Sequence, residues 1–294
     1  MTRTGLSPRL GQHLPEPFVE VHPDDALRFG VADGSFARVT TDYGQCTLKV
    51  VVSPQQQRGM LFVPIHWSEA NATAARIGSL VAPFTDPFSG QPENKATPAS
   101  IAPYEYVFAG FVLSRQPLQL PDHAWWARVA VTGGYGYRLA DNADLKDWQR
   151  WLRVSAGTDF AEYADIGGGI YRGASFVDGR IEACLFVGPA RDAGDWSVVK
   201  SLFAMEKLTD EQRRMLLSGR ASDGRPATGA IVCACFGVGR NAICDAIAAG
   251  ARTPAAIGAK LKAGTNCGSC VPEMKRLIAE SGGEAEPRRL EAVS

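Results

Sequence analysis

The residues with the clearest chemical potential sit in one stretch: Cys233-Ala234-Cys235, then Cys267-Gly268-Ser269-Cys270. Five of the seven cysteines fall between positions 233 and 270, and four of those make the two close pairs. A close pair can share an inorganic centre with a distant pair only if the chain folds back between them. Four thiolates suit either a structural zinc ion or an iron–sulfur cluster. A disulfide framework is the weaker reading, because nothing else marks the chain as secreted. Cys244, between the pairs, lies near the apolar side of a short helix and reads as a packed residue. Cys46 and Cys184 fall inside strand-like runs and read as core.

The segment between the pairs carries the signals of a fold-back. Residues 241–249 have helical spacing, with Ile243 and Ile247 on one face and Gly250 as the stop. Thr253-Pro254 supplies an N-cap and a proline at the first helical position, leading into a helix through Leu261 that Gly264 should end. Val271-Pro272-Glu273 begins a third helix, with Met274, Leu277 and Ile278 on its apolar side. Cys270 directly precedes that helix, where free N–H groups and a partial positive charge favour thiolate over thiol.

This order of C-x-C and C-x-x-C, with small helices and glycines between, resembles the bacterioferritin-associated-ferredoxin-like domain. The carrying runs are residues 231–238 and Thr265-Asn266-Cys267-Gly268-Ser269-Cys270, within about 230–281. The resemblance implies a short all-α domain holding a 2Fe–2S cluster on Cys233, Cys235, Cys267 and Cys270.

Composition bounds the rest. A chain of 294 residues exceeds the usual single-domain size, so a multi-domain protein is expected. Acidic and basic residues balance at 31 each with no basic run, which disfavours nucleic acid or an anionic membrane surface as partner. No apolar run approaches transmembrane length, and the N-terminus has no signal-peptide core. With clustered, metal-ready cysteines, these features lead to an expectation of a cytoplasmic location.

The first third reads as many short strands, one small helix and regular turns, an argument for a closed β-barrel. Strands are expected at Phe18 to Val21, Ser35 to Thr41, Gln45 to Val52, Leu61 to Ile65 and Tyr104 to Leu113, with a helix begun by Pro23 and stopped by Gly30. The run Arg58 to Trp67, Asn71, and the segment Asp86 to Lys95 are similar to the C-terminal molybdopterin-dinucleotide-binding domain of the dimethyl sulfoxide reductase superfamily. That resemblance covers residues 1–115 and implies a double-psi β-barrel. It also implies that Thr2, Arg3, Thr4, Gly5 and Ser7 lie against the cofactor, that His66 and Trp67 sit near the pterin, and that Asn71, Gln91 and Lys95 supply polar contacts. The chemistry is apt: a pyrophosphate needs N–H, hydroxyl and cationic donors, and a pterin edge alternates donors and acceptors.

Between linkers at 116–121 and 219–230, residues 121–222 read as a small α+β domain. Strands are expected at 127–132, 170–177 and 180–187, the last two joined by an Asp178-Gly179 hairpin turn. Helices are expected at 145–152 and 196–205, and a third starts at Thr209 through a capping box with Gln212. Gly167-Gly168-Gly169 lacks the Lys-Ser/Thr of a phosphate loop. No residue stands out as a catalytic acid, base or nucleophile.

Barrel, α+β spacer and terminal cluster module, in this order, resemble the C-terminal part of bacterial assimilatory nitrate reductase catalytic subunits. The resemblance implies two-electron reduction of nitrate to nitrite at molybdenum, a molybdopterin guanine dinucleotide cofactor (Mo-bis-MGD), and a 2Fe–2S relay fed by an electron-donor reductase or ferredoxin. The family places its molybdenum ligand and a 4Fe–4S cysteine cluster ahead of the barrel, whereas here the first cysteine is the solitary Cys46. The expectation is therefore a chain that works with N-terminal molybdenum/4Fe–4S domains, missing here or on a separate chain, and is inactive alone. Two other readings remain open at the level of sequence: a non-catalytic electron-transfer or cofactor-binding subunit, and a related molybdopterin enzyme such as formate dehydrogenase.

Overall fold

A computed structural model describes residues 16–155, 159–189, 194–218, 229, 231–233 and 235–281. The chain divides into two compact units, residues 1–219 and 220–294.

The first unit is built on two sheets. β1 (Phe18–Val21), β2 (Phe36–Thr40), β3 (Gln45–Val52) and β4 (Ser100–Tyr104) form a four-stranded sheet in the order β1-β3-β2-β4. β1 runs parallel to β3, while β2 is antiparallel to both its neighbours. Between β1 and β2 lies helix α1 (Pro23–Phe29), with Pro23 in its first turn and Gly30 left-handed at its end, as the sequence signals. Val19, Val21, Val39, Leu48, Val50 and Ile101 alternate inwards and build the core of this layer.

β5 (Phe108–Ser114), β6 (Trp125–Val131), β7 (Gly134–Asp141), β8 (Asp159–Asp165), β9 (Ile170–Val177) and β10 (Arg180–Gly188) form a second, antiparallel sheet, ordered β6-β7-β5-β10-β9-β8. The β9–β10 turn has Asp178 at φ 52 and Gly179 at φ 79, two successive left-handed residues that match the twist of the strands they join. Helix α2 (Leu145–Ser155) packs on β9 and β10, and its Leu145, Trp148 and Leu152 share a core with Phe108, Val112 and Leu185. α3 (Trp196–Phe203) packs on β5 and β10, with Trp196 edge-on to Phe111 at 5.2 Å. Because neighbours along β5 face opposite ways, Phe111 and Val112 assign these two helices to opposite faces of the sheet. α4 (Asp210–Ser218) begins with the expected reciprocal cap: Gln212 N–H donates to Thr209 Oγ1 at 3.2 Å, and Thr209 N–H to Gln212 Oε1 at 2.9 Å.

Two expected strands differ from this arrangement. The run Tyr104 to Leu113 is not one strand: it breaks at 105–107, so β4 closes the first sheet and β5 lies near the middle of the second. Val107 N–H, donating to Asn142 Oδ1 at 2.7 Å, fixes the crossing. The run Leu61 to Ile65 makes a single bridge, Phe62 with Glu20, and no strand. Pro64 has no N–H to give a ladder, and Phe62 and Ile65 are solvent-facing, so little burial rewards pairing. β6 meets the first sheet through Trp125 Nε1, which donates to Thr47 O at 3.0 Å, and the loop at Asn71 through Arg128 N–H, which donates to Asn71 O at 2.8 Å.

In β5, Gly110 has no room for a side chain, since a Cβ there would lie 1.9 Å from Phe186 O on β10. Gly110→Ala must push these central strands away from each other. The expected cost is about 3 kcal/mol, read as a lowered urea midpoint with an unchanged slope.

The second unit contains α5 (Arg240–Ala248), α6 (Pro254–Leu261) and α7 (Val271–Glu280) around Ile243, Ile247, Ile257, Met274 and Leu277. It is not all-α: β11 (Ile231–Cys233) and β12 (Val238–Gly239) form a small hairpin ahead of α5. Glycines at 237 and 239 and the shortness of the run hide this hairpin from periodicity. Among the described residues no helix is long and apolar enough to cross a membrane.

Candidate functional site

The cluster-type cysteines are delivered by two corners of the second unit. Cys233 ends β11, opposite Val238, and Cys235 lies in the hairpin turn. Cys267 and Cys270 come from the loop into α7, where Cys270 occupies the N-cap position without a side-chain cap bond. The fold-back between the corners follows the local signals read above. Thr253 Oγ1 accepts the N–H of Ala256 at 3.1 Å, and Pro254 opens α6. The expected stop at Gly264 is corrected: α6 ends at Leu261, with Lys262 left-handed at φ 62. Gly264, at φ 81, does different work. A Cβ there would meet Met274 Cε at 2.6 Å, and its backbone N–H points at the Cys270 sulfur.

The four thiols meet as two pairs, each taking one member from each corner. Cys235 Sγ lies 3.3 Å from Cys267 Sγ, and Cys233 is the thiol neighbour of Cys270. Among the described residues no three His, Cys, Asp or Glu side chains gather about one point as a single ion requires. Two thiol pairs supply four sulfurs, the number that a 2Fe–2S cluster takes from its protein. The pairs differ in setting. Cys233 and Cys270 are buried at 2% and 3% exposure, whereas Cys235 is half-buried and Cys267 exposed. Burial, together with its contact with Cys233, pushes the Cys270 thiol up to about 11. The hydroxyl and backbone N–H of Ser269, with the Cys235 thiol, bring Cys267 down to about 7.

Sequence reasoning alone did not single out Ser269, whose Oγ lies 3.0 Å from Cys267 Sγ. A serine two positions beyond a cysteine, in a loop that must turn, was the available signal. The other cysteines are packing residues here. Cys46 is buried in β3, its thiol raised to about 11 by burial, and Cys184 in β10 is raised to about 12 for the same reason. Cys244 is half-buried against the core of the second unit.

The pterin-type residues are spread over the first unit. Thr2, Arg3, Thr4, Gly5 and Ser7 lie outside the described residues. His66 is exposed. Trp67 is buried at 5% exposure, with its indole Nε1 enclosed and lacking a hydrogen-bond partner among the described residues. Asn71 is buried, its backbone N–H bonded to Ser68 O. Gln91 sits at the base of a small hairpin made by the Thr85–Pro92 bridge, whose tip is tied by Asp86 accepting from Phe88 N–H, Ser89 N–H and Ser89 Oγ. Those bonds, the Ser89 backbone N–H foremost, hold the Asp86 carboxyl below its ordinary range. Lys95 lines a cavity of about 530 Å³, together with Asn94, Thr97, Thr41 and the apolar Met60 and Leu80. One ammonium, an amide and two hydroxyls on an apolar wall suit part of a phosphate-bearing flat ligand. His66, Trp67, Asn71 and Gln91 are not among the residues lining that cavity.

Comparison with known proteins agrees with these two halves. Residues 1–98 match the Molydopterin dinucleotide binding domain family, and residues 231–280 match the BFD-like [2Fe-2S] binding domain family. A nitrate reductase of Klebsiella oxytoca is 40% identical over 287 residues, 97% of this chain and 33% of that protein. The F420-dependent formate dehydrogenase 1 subunit alpha of Methanococcus maripaludis is 33% identical over 100 residues, 34% of this chain and 14% of its own length. The assimilatory nitrate reductase catalytic subunit of Bacillus subtilis is 28% identical over 88 residues, 30% of this chain and 12% of its own length. The chain thus spans about a third of the length of the Klebsiella relative and smaller shares of the others. It is similar, in order, to a molybdopterin-dinucleotide-binding family and a 2Fe–2S-binding family, and over nearly all its length to a nitrate reductase.

Proposed function

We propose that this chain is the C-terminal portion of an assimilatory, cytoplasmic molybdenum nitrate reductase, working with molybdenum- and 4Fe–4S-bearing domains ahead of it. The reaction is NO3⁻ + 2 e⁻ + 2 H⁺ → NO2⁻ + H2O. Bound molybdenum supplies the oxygen-atom acceptor for that chemistry, and the cluster supplies single electrons to it. Residues 1–115, as a double-psi β-barrel, hold the dinucleotide: Lys95 and Asn94 neutralise and bond its phosphates, while Thr2 to Ser7, His66, Trp67, Asn71 and Gln91 serve its remaining edges. Residues 121–222 act as a spacer. Residues 230–281 hold the 2Fe–2S cluster on Cys233, Cys235, Cys267 and Cys270 and receive electrons from a reductase or ferredoxin.

The observation that carries this reading is the convergence of the four thiols as two cross-corner pairs, in a chain 40% identical to a nitrate reductase along 97% of its length. The direct test replaces the matching third of the Klebsiella enzyme with this chain and assays with reduced viologen. Nitrite formation from nitrate is expected. A folded chimera loaded with molybdenum and iron that forms no nitrite would contradict the reading.

A further inference from the structure

We propose that Ser269 sets the reduction potential of the cluster, by donating its hydroxyl hydrogen to the Cys267 sulfur on the half of the centre that takes up the electron. This rests on the reading of the four cysteines as 2Fe–2S ligands. The two halves are unequal. Cys233 and Cys270 are buried at 2% and 3% exposure, while Cys235 is half-buried and Cys267 faces solvent. One-electron reduction adds a negative charge and breaks no bond. That charge is better tolerated where water and hydrogen-bond donors reach the sulfurs than at Cys233 and Cys270, which are buried in the core of the unit. The Cys235/Cys267 half is the better-solvated one.

Within it, Ser269 Oγ stands 3.0 Å from Cys267 Sγ. A metal-bound thiolate has no hydrogen to give, so the serine must be the donor in the loaded protein. The bond strengthens as negative charge accumulates on the sulfur, and so favours the reduced state. Ser269 is exposed and lies outside the core of the unit, so its removal leaves the ligands in place. It touches a ligand and not the substrate, which makes it a tuning residue.

The test is a redox titration of the full chain, loaded with iron and sulfide and poised with dithionite, followed by electron paramagnetic resonance. Ser269→Ala is expected to lower the midpoint potential with iron content unchanged, and Ser269→Thr to restore it. In deuterium oxide the reduced wild-type chain should show an exchangeable deuteron coupled to the electron spin, weakened in Ser269→Ala and recovered in Ser269→Thr. An unchanged potential and an unchanged deuteron signal in Ser269→Ala would overturn the proposal while leaving the cluster assignment intact. A chain that binds no cluster at all would instead remove the reading on which it rests.

Discussion

Cys235→Ser is expected to strip the chain of its visible absorption and most of its iron, while Cys244→Ser leaves both at the wild-type level. Cys235 provides half of one thiol pair, 3.3 Å from Cys267, and sits in a hairpin turn. A hydroxyl is a harder, more basic donor than a thiol, which makes it a poor substitute in a sulfur-held iron centre. Cys244 lies on α5 and packs against the core of the unit, within sequence reach of the ligands but outside the two pairs. Iron analysis and absorption spectra of the two variants, purified side by side, check the contrast. Equal loss in both would mean that the effect is a failure of folding and not of ligation.

The second large effect belongs to the first unit. Trp148 on α2 is buried at 1% exposure, and its Nε1 donates to Asp141 Oδ2 at 2.8 Å. That carboxylate, at the end of β7, also takes the backbone N–H of Asn142 at 2.7 Å and lies 2.8 Å from His123 Nδ1. The indole is therefore both the main filler between α2 and the sheet and one of the donors to a buried acid. Trp148→Ala removes both roles and should cost about 4 kcal/mol. Trp148→Phe keeps most of the volume and loses only the donor, so its cost should be about 1.5 kcal/mol. Denaturant titrations separate the two, and equal losses would contradict the division between packing and hydrogen bonding.

What was legible in the sequence is what short-range chemistry decides. Asp178-Gly179 demanded a tight hairpin, Thr209 and Gln212 a reciprocal cap, and Thr253-Pro254 a helix start, and each is formed by its own neighbours. Non-local pairing was not legible. Nothing in the run from Tyr104 to Leu113 announces that three residues in its midst pass the chain from one sheet to the other, because the destination is set by β7 and β10. Lys262 took the left-handed position expected of Gly264, since Gly264 is needed where Met274 and the Cys270 sulfur approach. At the site, residue identity and spacing marked the four cysteines, but not that Cys233 would face Cys270 and Cys235 would face Cys267. That crossing depends on how a hairpin and a helix N-terminus meet. The pterin-type residues were drawn from a family pattern, and their number outruns the cavity beside Lys95, whose lining includes Lys95 alone of them.

The identity of the centre held by these four sulfurs decides whether the chain can pass electrons at all. Mössbauer spectroscopy of the chain produced with enriched iron, alongside acid-labile sulfide and zinc analysis, reads this directly. Two ferric sites of tetrahedral sulfur type, coupled to a diamagnetic ground state and matched by two sulfides per chain, is the predicted result. One zinc ion per chain with no sulfide, bound by the same cysteines, would contradict it.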